Sequence, residues 1–365
     1  MQYHFQNKEF KISRYPKTSL NSLQAWNAAD ELMLSYLVDN KLLSPKLAIY
    51  HDRFGFLACV LADINPISVI LYNSQRSALL QNLSQNNIDI EKTKTAFPLD
   101  QLNESLELAL VKIPKSADLF ELYLQNITSN LQEKATVIAS FMTKYFSKQT
   151  LEIAHKYFED VSQSKAKKKA RLLILKKARA LSKTNLIHEI KLDDKKSFKQ
   201  YYGVFSAKNI DYASQFLLKH ISISSTDQKI MDLGAGNGVI AWKISKLNPS
   251  SKINLVDDNW LALESAKLNM PQGDHYYHFT DNLLYLSNNS YDLVVSNPPF
   301  HFEFETNIEI SLTLFKQVWK ILKPRGRFQL VGNKHLNYKT HLEKIFAHVE
   351  IIAQNEKFIV YSCVK

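Results

Sequence analysis

Residues 229–246 read Lys-Ile-Met-Asp-Leu-Gly-Ala-Gly-Asn-Gly-Val-Ile-Ala-Trp-Lys-Ile-Ser-Lys, and this stretch decides the fold. Its first five residues predict a short buried strand, and its last eight predict the helix that follows. Between them lie three of the eight glycines of the chain, Gly234, Gly236 and Gly238. Because glycine lets the backbone turn sharply and approach a bound molecule closely, the loop predicts a ligand at the end of a parallel strand.

Acidic residues follow the next two strand-like runs. Asp257 ends the run Lys252–Val256, at the spacing from the glycine loop where a carboxylate hydrogen-bonds ribose hydroxyls. Asp281 follows Tyr277–Thr280 and is placed to accept a hydrogen bond from an adenine amino group, although it could instead cap the loop. Dinucleotide sites and methyl-donor sites have these features in common, so the loop and its acids do not separate the two.

The four residues Asn297-Pro-Pro-Phe300 do separate them. They follow the apolar run Tyr291–Ser296, and Pro298 and Pro299 must end that strand and turn the chain. The Asn297 amide oxygen and the Pro298 carbonyl can then accept the two hydrogens of a planar amino group, while Phe300 stacks on the ring that carries it. A hydride-transfer enzyme has no use for this arrangement. It directs a nitrogen lone pair toward a bound methyl donor, so these four residues are predicted to catalyse N-methylation.

The remaining C-terminal pattern predicts an α/β sheet. Helix 312–322, turn 323–327, strand 328–331, helix 338–346 and strands 349–352 and 358–361 follow the proline turn. Alternating strands and helices imply a doubly wound, mostly parallel sheet with its ligands at the carboxyl ends of the strands. The short polar loop between the last two strands requires one of them to run antiparallel. This is the Rossmann-like architecture of class I methyltransferases that use S-adenosylmethionine.

The N-terminal half carries a degenerate copy of the same pattern. Leu47–Asp52 with Gly55 stands for the first strand and its loop, and Leu106–Val111 stands for the strand before the catalytic turn. Lys112 then occupies the place of Asn297, and an ammonium group cannot accept an amine hydrogen. We therefore expect two tandem Rossmann-like domains, of which the first is inert and binds or positions substrate, or simply stabilises the second.

Length and composition agree with two domains, which we place at residues 1–182 and 183–365. A chain of 365 residues that is 45% hydrophobic exceeds what one hydrophobic core usually organises. The net charge of +11 favours a polyanion as partner. The two cysteines, Cys59 and Cys363, lie far apart in apolar runs, which argues against a disulfide scaffold or a cysteine-rich zinc site and favours a reducing cytoplasm. We expect no signal peptide, no membrane span and no metal.

The strongest charge run lies between the two halves. Leu172–Leu175 within it predicts a strand that closes the N-terminal sheet, with the basic residues on its flanks facing outward. We interpret the flanks as a contact to a nucleic-acid phosphate backbone, and a solvated surface is the alternative. The predicted contact residues are Lys167, Lys168, Lys169, Arg171, Lys176, Lys177 and Arg179.

A segment ahead of the glycine-rich strand, Gly203–Ser206 with Asp211, is expected to fold over the cofactor. The complete set of predicted cofactor-binding residues is Phe205, Ser206, Asp211, Asp232, Gly234, Gly236, Gly238, Asp257, Asp281 and Asn297.

These motifs resemble those of the bacterial ribosomal RNA guanine-N2 methyltransferases, which join a degenerate and an active methyltransferase domain. The resemblance covers nearly the whole chain and rests, in the C-terminal half, on Val204–Ser206, Asp232–Gly238, Val256-Asp257 and Asn297–His301. Three further segments are closer to the large-subunit members of the family: Leu23–Glu31, Val111–Lys115 and Asn355–Phe358. The resemblance implies that a methyl group passes from S-adenosylmethionine to the exocyclic amine of one guanine in 23S ribosomal RNA.

Other functions are compatible with the same residues. Within the family, 16S ribosomal RNA is the runner-up substrate. The same four-residue turn serves N6-methylation of adenine and methylation of protein glutamine. A non-catalytic RNA-binding assembly factor is the alternative from another class, and failure to bind S-adenosylmethionine would favour it.

Overall fold

Two seven-stranded sheets form from the alternating apolar runs, one in each half of the chain. They are seen in a computed structural model that describes residues 1–17, 23–182, 184–193, 196–298, 301–302, 305–306 and 308–365. The contacts divide the chain into two units, Met1–Leu186 and Ile187–Lys365. Each unit has its own sheet and its own flanking helices, in keeping with a tandem arrangement of two α/β domains.

The N-terminal unit begins with a small hairpin and continues as a mostly parallel sheet. Its strands are β1 (Gln2–Phe5), β2 (Lys8–Lys11), β3 (Leu47–Tyr50), β4 (Ile67–Val69), β5 (Lys94–Ala96), β6 (Leu106–Lys112), β7 (Leu131–Met142), β8 (Phe158–Gln163) and β9 (Ala170–Ala178). Its helices are α1 (Ala28–Asp39), α2 (Phe56–Val60), α3 (Asn73–Gln85), α4 (Ala117–Thr128) and α5 (Lys148–Tyr157). The sheet order is β5-β4-β3-β6-β7-β9-β8, and β9 is antiparallel to both of its neighbours.

The C-terminal unit has the same plan. Its strands are β10 (Ile187–Asp193), β11 (Lys196–Tyr201), β12 (Lys229–Leu233), β13 (Lys252–Asp257), β14 (His275–Phe279), β15 (Tyr291–Ser296), β16 (His301–Phe302), β17 (Glu305–Thr306), β18 (Leu322–Asn333), β19 (His348–Gln354) and β20 (Phe358–Val364). Its helices are α6 (Tyr212–His220), α7 (Val239–Leu247), α8 (Trp260–Asn269), α9 (Ile308–Ile321) and α10 (Tyr338–Leu342). The sheet order is β14-β13-β12-β15-β18-β20-β19, and β20 is the antiparallel strand.

The strand order reverses at β12, which places the ligand crevice. The chain moves outward in one direction through β13 and β14, and then returns to the other side of β12 as β15. Helices therefore leave β12 and β15 on opposite faces of the sheet, and a crevice opens at the carboxyl ends of these strands. The glycine loop and Asn297 both lie at this point of the sheet, because each follows the last residue of its strand.

Helices cover both faces of the C-terminal sheet. Apolar residues of α6, α7 and α8 pack on one face together with Ile230 and Leu255. Residues of α9 and α10 pack on the other face with Met231 and Val294. Since β12 and β15 are buried on both faces, their sequences are nearly continuous apolar runs. Among the described residues, none of the helices has the length and apolar character needed to span a bilayer.

Two local expectations were wrong. Residues 323–327, expected as a turn, lie inside β18, where the pairing register with β15 slips and Arg325 has φ +64°, so the turn signal marks a bulge within the strand. The strand over Leu172–Leu175 is present as part of β9, but it does not close the sheet. β8 lies outside it, because a hairpin folds the polar run Phe158–Gln163 back along β9.

Candidate active site

The glycine-rich loop between β12 and α7 is held by backbone bonds to the neighbouring strand. Gly234 and Ala235 both donate their N–H groups to the carbonyl of Val256, at 2.8 and 3.0 Å. Gly236 donates its N–H to Asp257 Oδ2 at 2.8 Å. The loop is therefore tied to the carboxyl end of β13, which lies next to β12, the strand at which the order reverses.

Two glycines of this loop are required for different physical reasons. Gly238, with φ +81°, precedes α7, and a Cβ there would lie 3.0 Å from the Cβ of Ala266, so this glycine permits close packing of two helices. Gly236 also has a positive φ, +54°, but a Cβ there would meet no heavy atom within 4 Å. The loop is thus open beside Gly236, where a ligand can approach the backbone closely.

One buried carboxylate, Asp232, and one partly buried carboxylate, Asp257, flank the loop. Asp232 Oδ2 accepts the backbone N–H of Ala241 at 2.9 Å, and Asp232 Oδ1 is buried without a hydrogen-bond partner among the described residues. Burial raises the pKa of Asp232 to about 7. Burial also raises the pKa of Asp257 to about 6, although the N–H groups of Asn259 and Gly236 favour its charged form. Asp257 is therefore ionised at neutral pH and can accept hydrogen bonds from a ligand.

Asp281 lies at the same edge of the sheet, one strand further out. The pairing of β13 with β14 runs up to Asp257 opposite Phe279, and the N–H of Thr280 donates to the Asp257 carbonyl at 3.1 Å. Asp281 Oδ1 lies 3.4 Å from the side-chain nitrogen of Asn282. The backbone pairing thus places Asp281 at the strand end next to that of Asp257, two residues beyond the Asp257–Phe279 pair.

Asn297 follows β15 and is joined to the first turn of α6. Its Nδ2 donates to Asp211 Oδ2 at 2.9 Å and to Ser214 Oγ at 3.0 Å. Just before it, Ser296 Oγ donates to the carbonyl of Leu233 at 2.7 Å, which ties the ends of β15 and β12 together. The buried Pro298 comes next. The other two residues of the predicted catalytic turn, Pro299 and Phe300, lie outside the described residues.

The segment expected over the cofactor is anchored at its base and exposed at its tip. Gln200 Nε2 donates to the carbonyls of Val204 and Phe205, at 3.1 and 3.0 Å. Gln200 Oε1 in turn accepts from Asn237 Nδ2 of the glycine loop at 3.0 Å. Ser206, with φ +63°, donates through Oγ to a nearby backbone carbonyl, while the Phe205 ring is 71% exposed.

The sequence reasoning missed two buried polar residues of this network, Gln200 and Ser214. The role of Gln200 could not be predicted, because a single glutamine in a strand belongs to no recognisable motif. Ser214 had a weak signal, since Asp211-Tyr-Ala-Ser214 is a helix N-cap pattern, and Asp211 Oδ2 does accept the Ser214 N–H at 3.1 Å. Both residues act across long sequence separations, which spacing alone does not reveal.

The described residues fit S-adenosylmethionine. The loop leaves room beside Gly236, and the buried Asp232 Oδ1 still has an acceptor to offer. Asp257 and Asp281 add acidic groups at the two neighbouring strand ends. Among the described residues, no group of three or more His, Cys, Asp or Glu side chains could hold a metal ion.

The predicted RNA-contact residues are divided between the two ends of β9. Lys167, Lys168 and Lys169 form the hairpin turn between β8 and β9, in which the N–H groups of Lys167 and Ala170 bond each other's carbonyls at 3.0 and 2.9 Å. Arg171 follows this turn and donates to Gln163 Oε1 at 3.3 Å.

Lys176, Lys177 and Arg179 lie at the far end of β9. That end is roughly 25 Å from the hairpin turn, since a strand rises about 3.3 Å per residue. Lys177 pairs with Asp160 at 3.0 Å and Arg179 with Glu159 at 3.9 Å. The structure therefore separates the charge run into two clusters, and each is partly neutralised, since Lys168 of the first cluster pairs with Glu31 at 3.2 Å.

Known proteins of the same organisation match the whole chain. The model of the RLMG N-terminal domain matches residues 1–180, and that of the methyltransferase small domain matches residues 195–362. Ribosomal RNA large subunit methyltransferase G of Photobacterium profundum is 33% identical and covers 98% of both chains. The protein of the same name from Psychromonas ingrahamii is 30% identical, over 97% of this chain and 96% of its own.

A solved structure matches the fold over its full length. The T. thermophilus 16S rRNA N2 methyltransferase RsmC, in complex with AdoMet and guanosine, superposes with a TM-score of 0.76 at 17% sequence identity, and the match covers 100% of this chain and 97% of that one. At this identity the likeness concerns the tandem α/β architecture alone.

The fold and the site define a class I methyltransferase that uses S-adenosylmethionine. Its sheet has the class I strand order with one antiparallel strand, and its C-terminal unit matches the methyltransferase small domain. At 33% identity over nearly the full length, the chain belongs to the ribosomal RNA large subunit methyltransferase G family.

Proposed function

We propose that this chain methylates the exocyclic N2 amine of one specific guanine in 23S ribosomal RNA. The observation that carries the proposal is the orientation of Asn297, whose NH2 group faces α6. Its Oδ1 accepts no hydrogen bond from another described residue, which leaves it for an N–H of the substrate. The relatives named as large-subunit methyltransferases favour 23S over 16S ribosomal RNA. The neighbour named for 16S rRNA is only 17% identical, so its likeness concerns the fold and not the choice of substrate.

The cofactor is assigned to the carboxyl ends of β12, β13 and β14. Gly234 and Gly236 bring the backbone close to it, and Asp257 accepts hydrogen bonds from the ribose hydroxyls. Asp281 accepts from the adenine amino group, and Asp232 Oδ1 offers a further buried acceptor. Phe205 and Ser206 cover the bound molecule, since their segment is anchored to the glycine loop through Gln200 and Asn237. Bound there, S-adenosylmethionine supplies a methyl group on a positively charged sulfur.

The reaction then depends on how the protein holds the amine. A guanine in a helix uses N2 for pairing, so the base must leave its stack to react. Asn297 Oδ1 accepts one amine hydrogen, the Pro298 carbonyl accepts the other, and Phe300 stacks on the base. These contacts turn the nitrogen lone pair away from the ring. Positive charge develops on that nitrogen during transfer, and the two fixed acceptors stabilise it without a strong base. The surplus proton of the methylated amine then passes to water, because the product is far more acidic than an ordinary ammonium group.

The hairpin turn of Lys167, Lys168 and Lys169 is the proposed primary RNA contact. Lys168 and Lys169 have φ of +49° and +63°, a conformation that costs about 1 kcal/mol or more for a residue with a side chain. Asn-Gly is the favoured sequence of such turns. Two lysines in its place reduce backbone stability but place positive charge on an exposed turn, where Lys168 also pairs with Glu31 at 3.2 Å. Arg171, Lys176, Lys177 and Arg179 extend the contact along β9.

The same substrate implies a cytoplasmic location. Both cysteines are free and buried, and neither needs an oxidising compartment.

The proposal is tested by methyl transfer from labelled S-adenosylmethionine to separate RNA substrates from cells that lack the gene. Protein-free 23S ribosomal RNA, protein-free 16S ribosomal RNA and assembled subunits are each incubated with the purified chain, and the product is identified by nucleoside analysis. We expect N2-methylguanine in 23S ribosomal RNA. We expect Asn297→Ala to abolish transfer while the Kd for S-adenosylmethionine changes little, because the main contact of the amide is with the substrate amine and the cofactor is held by many other predicted residues.

Each other outcome has a definite meaning. Label only in 16S ribosomal RNA would retain the chemistry and overturn the substrate. Label in no RNA, with normal cofactor binding, would favour N6-adenine or protein-glutamine methylation. Failure to bind S-adenosylmethionine would favour a non-catalytic assembly factor. Equal loss of transfer and cofactor binding in Asn297→Ala would contradict the role given to Asn297.

A further inference from the structure

The amide of Asn297 can serve a substrate amine in only one of its two orientations. An amide has an acceptor on one side and an NH2 donor on the other, and a rotation of 180° exchanges them. With the oxygen toward the amine, the residue accepts an N–H. With the NH2 group toward the amine, two sets of donors face each other and the contact is repulsive. Something in the protein must select between these states.

Asp211 and Ser214 lie where this selection is made. Asn297 Nδ2 is 2.9 Å from Asp211 Oδ2 and 3.0 Å from Ser214 Oγ, so both of its hydrogens have an acceptor. A carboxylate has no hydrogen to donate, and therefore the amide atom that faces Asp211 must be the nitrogen. The assignment follows from chemistry, and it leaves Oδ1 on the opposite side.

The first turn of α6 holds both acceptors in place. Asp211 is the N-cap of the helix, and its Oδ2 accepts the backbone N–H of Ser214 at 3.1 Å. Ser214 is only 8% exposed. An N-cap fixes the side-chain conformation of the aspartate, and a charged acceptor makes a stronger hydrogen bond than a neutral one. The orientation of Asn297 is thus set before a substrate arrives.

A comparison with the N-terminal copy distinguishes the orientation of the Asn297 amide from a packing contact between a helix and a strand. There Lys112 is the last residue of β6, whereas Asn297 comes directly after β15. Lys112 Nζ lies 3.0 Å from Oδ2 of the fully buried Asp30 on the first turn of α1. The contact between helix and strand is retained. The ammonium has three donors and no acceptor, so nothing remains to receive an amine hydrogen.

We propose that Asp211 and Ser214 are positioning residues for catalysis, which act by fixing the Asn297 amide with its oxygen toward the substrate amine. The inference rests on the proposed methyl transfer to an amine and adds two residues that act through Asn297.

A reciprocal exchange tests the proposal. In N297D two carboxylates face each other, and we expect kcat at saturating S-adenosylmethionine to fall roughly 10²–10³-fold. In D211N/N297D the asparagine introduced at position 211 donates to one carboxylate oxygen at position 297, and the other oxygen faces the amine. We expect kcat to recover about tenfold or more over N297D. A double variant no more active than N297D overturns the proposal.

A matched pair of serine variants gives a second test. S214A removes one acceptor of the Asn297 amide, whereas S245A removes another buried helix hydroxyl of the same unit, which donates to the Trp242 carbonyl at 2.8 Å. We expect S214A to lower kcat while KM for the RNA stays unchanged, and S245A to change neither. Equal effects of the two variants would assign Ser214 a structural role and overturn its part of the proposal.

A spectroscopic measurement is independent of methyl transfer. In ¹⁵N-labelled protein, the Asn297 side-chain NH2 signal is assigned by its absence in N297D. We expect its hydrogens to exchange slowly with solvent in the wild type and rapidly in D211A/S214A. Equal exchange in both would overturn the proposal. Absence of wild-type methyl transfer counts against the proposed function alone, because the exchange data still decide the orientation.

Discussion

Asp257 is the residue whose protonation should be visible in cofactor binding. Its pKa is raised to about 6 by burial, so the carboxylate is charged at pH 7.5 and becomes protonated as the pH falls through 6. A protonated carboxyl loses an acceptor that the ribose hydroxyls require. We therefore expect the affinity for S-adenosylmethionine to decrease as the pH is lowered from 7.5 to 5, measured by calorimetry.

Two variants distinguish this effect from a general destabilisation of the protein at low pH. Asp257→Asn should bind the cofactor weakly and lose the pH dependence centred near 6, while a dependence centred near 7 would belong to Asp232. Asp274→Asn removes an exposed carboxylate of the same unit, and its affinity for S-adenosylmethionine should depend on pH as in the wild type. An unchanged pH dependence in Asp257→Asn would show that this residue does not contact the cofactor.

Residue spacing predicted the position of Asp257 in the fold, but it could not predict the hydrogen bonds of Asn297. The place of Asp257 followed from its distance along the chain to the glycine loop, because parallel strands bring their carboxyl ends to one edge. The bonds of Asn297 to Asp211 and Ser214 join residues 86 and 83 positions apart, through a helix that packs near the end of a different strand. Such contacts depend on how elements pack, and no local pattern encodes that packing.

At the scale of elements, the turn between β8 and β9 has residues that lower stability but are proposed to increase RNA affinity. Lys168 and Lys169 occupy left-handed backbone positions that favour asparagine and glycine. The variant K168N/K169G should raise the free energy of unfolding by about 1 kcal/mol or more, since it relieves unfavourable backbone conformations. It should also weaken RNA binding and reduce the slope of log K against log salt by about one to two units, since two phosphate contacts are lost.

Lys41 supplies the control for this variant. It is an exposed lysine of the same unit with a similar backbone conformation, φ +54°, just after α1. Lys41→Gly should therefore also stabilise the protein, but it should leave RNA affinity and its salt dependence unchanged. Equal losses of affinity in both variants would mean that RNA responds to net charge rather than to the hairpin.

The elements that sequence patterns predicted poorly are those at the margins of the sheets. The turn signal at residues 323–327 was absorbed into β18, because a strand can take up extra residues, here three, as a bulge while both of its ends remain paired. The polar run of β8 contains too few apolar residues to be recognised as a strand, and it is held by its hairpin to β9. The central strands β12 and β15, buried on both faces, were predicted from their sequence.

At the scale of the whole molecule, a comparison of the two units distinguishes residues that the fold requires from residues that a ligand would require. Asp52 accepts N–H groups at the start of α2, much as Asp232 accepts one from α7. Gly55, like Gly238, has a positive φ and sits so close to the next helix that a Cβ would overlap Leu79. Both copies keep these features. The N-terminal loop has no second glycine in the place of Gly236, and this contrast agrees with our proposal that Gly236 serves the ligand.

The same contrast predicts how the functions divide between the units. All of the residues assigned to the cofactor and to the amine lie within Ile187–Lys365, and the buried apolar clusters beneath them are formed by residues of that unit. A fragment of residues 187–365 should therefore fold cooperatively and bind S-adenosylmethionine with a Kd close to that of the full chain. It lacks the basic hairpin, so its KM for RNA should rise at least tenfold, as loss of several phosphate contacts requires.

Calorimetry with the cofactor and transfer assays across RNA concentrations measure the two quantities separately. A folded fragment that fails to bind the cofactor would place part of that site in the N-terminal unit, and a fragment with normal KM would remove RNA binding from it.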